Sequence, residues 1–253
     1  MTISNNDLKK YSSLNRKNKR KEHQLFVVEG EKICKELIKN DFEYESIFTT
    51  KDLQNEFPLS TVCSKKEIER ISHLKSPSNV VAICKIPIFK INIKDKMPLI
   101  FIDNINDPGN LGTIIRTLDW FGYKQVFCSK NTVDCFNNKT VMASMGSIFR
   151  INCHYIDFVN FQKFFPEHVT YGTSLDGENI SSLILKVKSI IIIGNESNGV
   201  SKEILNNLNN TIRIQGFGKA ESLNVSVATG IILNEIEKKL TLKSKWKCPH
   251  SRF

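Results

Sequence analysis

A two-part α/β fold is predicted for this chain, and three observations carry the prediction. Short apolar runs of strand length alternate with segments of helical periodicity along most of the sequence. One run, Ile190 to Ile193, is four consecutive isoleucines, the pattern of a parallel strand buried on both faces. Between two such series lies Lys85 to Pro98, where Pro87, Pro98 and alternating Ile and Lys read as a linker. The expected architecture is a small N-terminal α/β unit, residues 1–90, followed by a larger unit on a parallel sheet, residues 97–253.

In chain order, Ser12 to Lys21 reads as a basic helix or arm and Phe26 to Val28 as a short strand. Glu29 to Lys39 follows as a helix with Ile33 and Leu37 on one face. Tyr44 to Thr50 resembles a strand, Lys65 to Ser72 a helix and Val80 to Cys84 a buried strand. After the linker, Leu99 to Ile102 is a strand and Asp107-Pro108-Gly109 a turn. Asn110 is a candidate N-cap for a helix whose apolar stripe is Leu111, Ile114, Ile115 and Leu118, closed by Gly122. Gln125 to Cys128, Tyr171 to Leu175 and Ile190 to Ile193 are further strands. The last helix runs from Ser222 or Leu223 to Lys239. Its first half is apolar nearly all round, as in a core or a subunit interface.

Composition narrows the function classes. With 253 residues, 40% apolar and 25% charged, the chain fits a globular protein rather than a disordered or collagen-like one. Its apolar runs are far below the roughly 20 residues of a membrane helix, and the polar N-terminus predicts no secretory leader. Seven scattered cysteines suit reduced thiols in a cytoplasm. Cys248 with His250 is too small a set for zinc, so no metal is expected. Residues 1–24 hold seven basic and two acidic side chains, a balance of +5, and residues 238–253 hold six basic and none acidic. The formal charge of +10 therefore lies at the two ends, and the body between them is close to neutral. Lys-rich ends can be mere solvated tails, but two basic ends around a neutral body fit phosphate-contacting arms.

The motif Gly216-Phe217-Gly218-Lys219-Ala220-Glu221 invites two readings that fail. A dinucleotide fingerprint needs a third glycine where Glu221 stands, and a phosphate loop needs Ser or Thr where Ala220 stands. Three other segments each put small or polar residues at a strand end. They are Asn106 to Thr117, Gly194-Asn195-Glu196-Ser197-Asn198-Gly199, and Ala220 to Ala228 with Ser222-Leu223-Asn224 at its centre. Loops at the carboxyl ends of parallel strands are where such folds bind small molecules. Singly, each segment also reads as an ordinary turn or cap.

Together, in order and spacing, the three segments resemble the signature motifs of the SpoU (TrmH-like) family of RNA ribose 2′-O-methyltransferases. Ala143 to Arg150 is similar to a further family stretch. Ser12, Leu14, Lys19, Arg20, Phe26 to Gly30 and Ser76-Pro77 resemble the family's N-terminal substrate-binding domain. The resemblance implies an S-adenosylmethionine donor in a trefoil-knotted α/β methyltransferase domain that works as a homodimer. It also implies a ribosomal-protein-like domain presenting the basic arm to RNA, with rRNA favoured over tRNA. A catalytically silent RNA-binding or ribosome-assembly protein on the same fold is the competing reading.

Carried over by position, Gly194, Gly199, Ile214 and Leu223 would hold the cofactor, largely through backbone groups. Asn110, Arg116, Glu196, Ser222 and Asn224 match the catalytic positions. A guanidinium does not serve as a proton acceptor, so Arg116 is read as a phosphate clamp and oxyanion stabiliser. Asn110, Ser222 and Asn224 would orient the ribose hydroxyl, and Glu196 would be a structural acid holding Arg116 or loop amides; the base is open. Gln215 replaces the family's usual proline, which is expected to loosen the cofactor loop. Met142 and Asn79-Val80 are further departures.

Overall fold

The computed structural model describes residues 3–94, 97–186 and 188–245. Of the basic C-terminal segment 238–253, residues 246–253 lie outside the described residues, Cys248 and His250 among them. Where a single basic helix was expected near the N-terminus, two short ones form, α1 (Asn5–Ser12) and α2 (Lys17–His23), joined by a 3-10 turn. Arg16 between them is extended and Gln24 adopts φ 54°, which stops α2 and turns the chain into β1 (Leu25–Glu29).

Next come α3 (Glu31–Lys39), β2 (Tyr44–Thr49), β3 (Thr61–Val62), α4 (Lys65–Ile71) and β4 (Val80–Lys85). Ser64 and Glu67 close a reciprocal capping box at the start of α4. The four strands form one sheet in the order β1-β4-β2-β3, with β4 antiparallel to both β1 and β2. This sheet is apolar on both sides. Leu25 and Val27 face Leu8, Tyr11 and Ile68, while Phe26 and Val28 face a core shared with the rest of the chain.

The remainder comprises β5 (Leu99–Ile102), α5 (Pro108–Trp120), β6 (Gln125–Cys128), α6 (Asn138–Ser144), β7 (Asn152–Tyr155) and α7 (Phe158–Phe164). It continues with β8 (Val169–Asn179), β9 (Ser189–Ile193), α8 (Lys202–Leu205), β10 (Asn210–Arg213) and α9 (Val225–Lys245). Its sheet runs β10-β8-β9-β5-β6-β7, and every pairing is parallel. The isoleucine run is central, as expected, and alternation assigns its side chains. Ile190 and Ile192 meet the Phe158 and Phe161 rings of α7, while Ile191 and Ile193 share the other face with Leu111 and Ile114 of α5.

Two local expectations are corrected. Asp107, not Asn110, caps α5: its carboxylate accepts the Asn110 N–H at 2.7 Å, and Pro108 occupies the first helical position. Asn110 therefore sits inside the first turn with its side chain free for other partners. The last helix begins at Val225 rather than at Ser222 or Leu223, and Asn224 covers its open end by accepting the Ser226 N–H at 2.9 Å.

The two halves are joined by more than the connector. The Phe26 and Phe136 ring centroids lie 4.6 Å apart, and those of Phe42 and Phe149 lie 4.9 Å apart. Arg20, buried, donates to the Asp134 carboxylate at 2.6 and 3.0 Å and to the carbonyls of Leu14 and Asn15. Arg150 spans Glu36 and Asp119, each at 2.7 Å. The stretch Ala143 to Arg150 thus serves as the saddle between halves. A side chain at Gly146 (φ +94°) would meet Glu36 of α3 at 2.8 Å. Among the described residues no helix is long and apolar enough to cross a membrane.

Candidate active site

Parallel strands leave their loops on one edge, and here three such loops converge. The loop after β9 turns tightly. Asn195 N–H bonds the Gly199 carbonyl and Gly199 N–H returns to Asn195, both at 2.9 Å. This closure brings backbone so near Gly194 that an added Cβ would lie 2.3 Å from Gly199 and Val200, so only glycine fits. Gly199 itself takes φ +65°. Gly194 N–H is accepted by the Thr173 hydroxyl at 3.2 Å, tying the loop to β8.

Asn195 is the loop's pivot, and its importance was not foreseen. Its side-chain oxygen accepts the N–H groups of Ser197 and Asn198, and its amide donates to the Asn104 carbonyl at 2.8 Å. An Asn that bonds backbone two residues onward is an ordinary turn signal, so this residue was open to discovery in the sequence.

Between this loop and the 214–224 segment lies a cleft of about 880 Å³. Its walls include Ile193, Gly194, Gly199, Ile214, Leu223 and Ile232, so all four expected cofactor positions share one cavity. Glu196 and Ser222 line it too, with Asp176 and Glu221 adding carboxylates. Apolar walls, exposed backbone and an acidic rim suit a flat base joined to a cationic sulfonium. The lining therefore fits S-adenosylmethionine, which Gly194, Ile214 and Leu223 would hold. When bound there, it would supply an activated methyl group.

Beside the cleft, three of the five expected catalytic positions form one hydrogen-bonded chain. The Asn110 side-chain amide donates to Glu196 Oε1, and its oxygen accepts the Asn224 amide at 3.0 Å. Asn224 Oδ1 in turn accepts the Ser226 N–H and hydroxyl. Both ends of the Asn110 amide are thereby fixed, so its orientation is set by partners in the other two loops.

Arg116 does not join them. It lies six residues along α5 from Asn110, so about 9 Å up the axis and on another face, exposed, with no carboxylate partner among the described residues. Glu196 thus holds Asn110 rather than Arg116. Ser222 is exposed at the cleft, and among the described residues no side-chain bond holds it there. Arg20, expected on the RNA-facing arm, is instead the buried link to Asp134, and Lys19 pairs with Glu22 at 2.7 Å.

All six described cysteines are free and buried. Burial pushes the Cys34 thiol up to about 12 and raises Cys84 and Cys128 well above their ordinary value, so these three supply no thiolate.

Comparison with known proteins agrees with this geometry. Residues 97–234 match the family model described as the SpoU rRNA Methylase family, and residues 5–82 match an MRM3-like substrate binding domain. The 23S rRNA (guanosine(2553)-2′-O)-methyltransferase RlmP of Bacillus subtilis is 30% identical over 245 residues, spanning 92% of this chain and 96% of that protein. An AdoMet-bound rRNA methyltransferase from Sinorhizobium meliloti superimposes with a TM-score of 0.83 at 26% identity, covering 95% of this chain and 98% of its own. A TrmH-family RNA methyltransferase structure from Porphyromonas gingivalis gives 0.82 at 28% identity, with 92% and 98% covered. With a family model matched over more than half its length and a relative matched nearly end to end, the chain belongs to the SpoU rRNA methylase family.

Proposed function

We propose that the protein transfers a methyl group from S-adenosylmethionine to a ribose 2′-hydroxyl of ribosomal RNA. The observation that carries this reading is the Glu196–Asn110–Asn224 chain at the edge of a cleft lined by Gly194, Ile214 and Leu223. Because the donor's methyl is already activated, the protein's task is to hold the hydroxyl in line and ease removal of its proton. Asn110 and Asn224 orient the acceptor ribose and keep the three loops in register. Glu196 fixes the Asn110 amide. Ser222 offers a hydroxyl at the cleft, and Arg116, exposed and unpaired, serves as the phosphate clamp.

A silent binding protein on this fold would have no need of a carboxamide relay spanning three loops, which favours the enzyme. The division of labour is residues 1–90 for RNA and 97–253 for methyl transfer, and the two ion-pair anchors support a fixed spacing between them. The reading includes a homodimer. Its support is the exposed apolar pair Trp120 at the end of α5 and Val227 in the first turn of α9. It also includes the family's knotted course, supported by the convergence of the 194–199 and 214–224 loops on one cleft although β10 separates them in sequence. The work is placed in a cytoplasm, where free, buried thiols persist. Calorimetry with S-adenosylmethionine tests the cofactor part: one site per chain is expected, and absence of binding overturns the reading.

A further inference from the structure

The motif Gly216-Phe217-Gly218-Lys219 is not explained by the site as described. Phe217 is 96% exposed, the most exposed of the large apolar side chains described here. Single exposed apolar residues are common and need no special cause, but four observations set this one apart. Glycines stand on both sides of it, and a Cβ built on either meets nothing within 4 Å. Residues 216–224 are exposed throughout, and among the described residues no backbone hydrogen bond ties 216–223 to the body of the domain. Gln215, where proline would have stiffened the chain, folds its amide onto the adjacent Gly216 carbonyl at 2.8 Å. The segment nonetheless has a defined root, because Phe217 lines the cleft and Asn224 at the far end is bonded to Asn110.

Two residues beyond the ring is Lys219, exposed and without an ion-pair partner among the described residues. Glu221 follows on the same segment but does not pair with it. An aromatic face and a free ammonium on one exposed segment form the chemical pair that holds single-stranded nucleic acid, the ring stacking on a base and the cation meeting phosphate. The position agrees with this chemistry. A ribose presented to Asn110 and Asn224 brings its own base close to this segment, and a base in a single-stranded stretch gains by stacking on an aromatic face there.

We propose that Phe217 is the stacking platform for the unpaired base of the target nucleotide, with Lys219 taking an adjacent phosphate. This rests on the methyltransferase reading and adds a residue that selects single-stranded over paired substrate.

The test uses the full chain and deproteinised large ribosomal RNA from cells lacking this gene. Phe217→Ala is expected to raise KM for that RNA about five- to 150-fold, a larger change than any in kcat or in the Kd for S-adenosylmethionine, whose cleft the ring borders. Phe217→Trp should restore KM, and its added emission should be quenched by the RNA. Lys219→Ala should weaken RNA binding and lower the salt slope of log Kd by about one. An unchanged KM in Phe217→Ala overturns the proposal. So does a cofactor Kd weakened as much as the RNA KM, which would make the ring a lid on the donor, or an altered mass in sedimentation, which would place it in a subunit interface. If the wild-type protein transfers no methyl, the underlying reading has failed, and filter binding of the same RNA still decides the stacking role. Weaker binding by Phe217→Ala supports the platform, and equal binding refutes it.

Discussion

Arg20→Met separates a buried link from a surface ornament. The Arg20 side chain is 3% exposed and its Asp134 partner 16%, so water does little to screen the pair. The guanidinium also satisfies the Leu14 and Asn15 carbonyls at 2.8 and 2.9 Å. Methionine keeps the length of the stem but leaves the carboxylate and both carbonyls without that donor. Breaking a buried pair in this way costs about 3–5 kcal/mol. For a chain of this size, roughly 2–4 °C is lost per kcal/mol. Thermal unfolding should therefore show a midpoint lower by about 6–20 °C. Lys130→Ala is the control: its pair with Asp157 is 65% and 47% exposed and should contribute under about 1 kcal/mol. A midpoint for Arg20→Met within about 2 °C of wild type would refute the reasoning and leave the apolar contacts and the Arg150–Glu36 pair holding the halves together.

Three further outcomes follow from the packing and the site. Gly112→Ala would set a Cβ 2.5 Å from the Thr140 carbonyl oxygen and 2.6 Å from the Ala143 Cβ, forcing α5 and α6 apart. A loss of about 1–3 kcal/mol is expected in denaturant unfolding, and a neutral result would deny that close approach. Asn110→Ala and Asn224→Ala should each slow methyl transfer on the order of 100-fold with unfolding midpoints little changed; full activity in both would remove the relay from the mechanism.

Stability should also fall with acid. His154 packs against Phe127 and Phe89, its Nε2 has no partner among the described residues, and burial holds its pKa below the ordinary 6.5. The folded state therefore keeps this ring neutral while the unfolded chain takes up a proton near 6.5. Stability is complete above that pH and declines as pH drops toward the folded-state value. His73 and His168 act with the same sign. Unfolding of His154→Phe at pH 7.5 and 5.5 should show a shallower decline than wild type, and an equal decline would contradict this.

The central strands were legible because burial on both faces writes itself as an unbroken apolar run. Leu99–Ile102 and Gln125–Cys128 match expectation to the residue. The strands that escaped notice in the large sheet, Asn152–Tyr155 and Asn210–Arg213, are its two edges. Each pairs on one side only and carries polar residues, so neither periodicity nor hydropathy marks it. Cap chemistry misled in a particular way. Asp107 and Asn110 are both good caps, and the deciding signal was Pro108, which prefers the first helical position.

The site was legible as three polar loops, since glycine and asparagine at strand ends announce tight turns. Its connections were not, because the Asn110–Glu196 and Asn110–Asn224 bonds join residues 86 and 114 positions apart. The same distance concealed Arg20. A basic residue in a basic segment reads as solvated until the fold brings Asp134 to it, 114 positions away.

The claim at the centre of this account is methyl transfer to a ribose of ribosomal RNA. Labelled S-adenosylmethionine, incubated with the protein and total RNA from a strain lacking this gene, tests it most directly when the product is separated by size and mapped for ribose methylation. The account requires label at a 2′-O position in large-subunit ribosomal RNA, lost in Asn110→Ala. Label confined to transfer RNA would contradict the substrate, and no label in naked RNA or in immature ribosomal particles would contradict the enzyme.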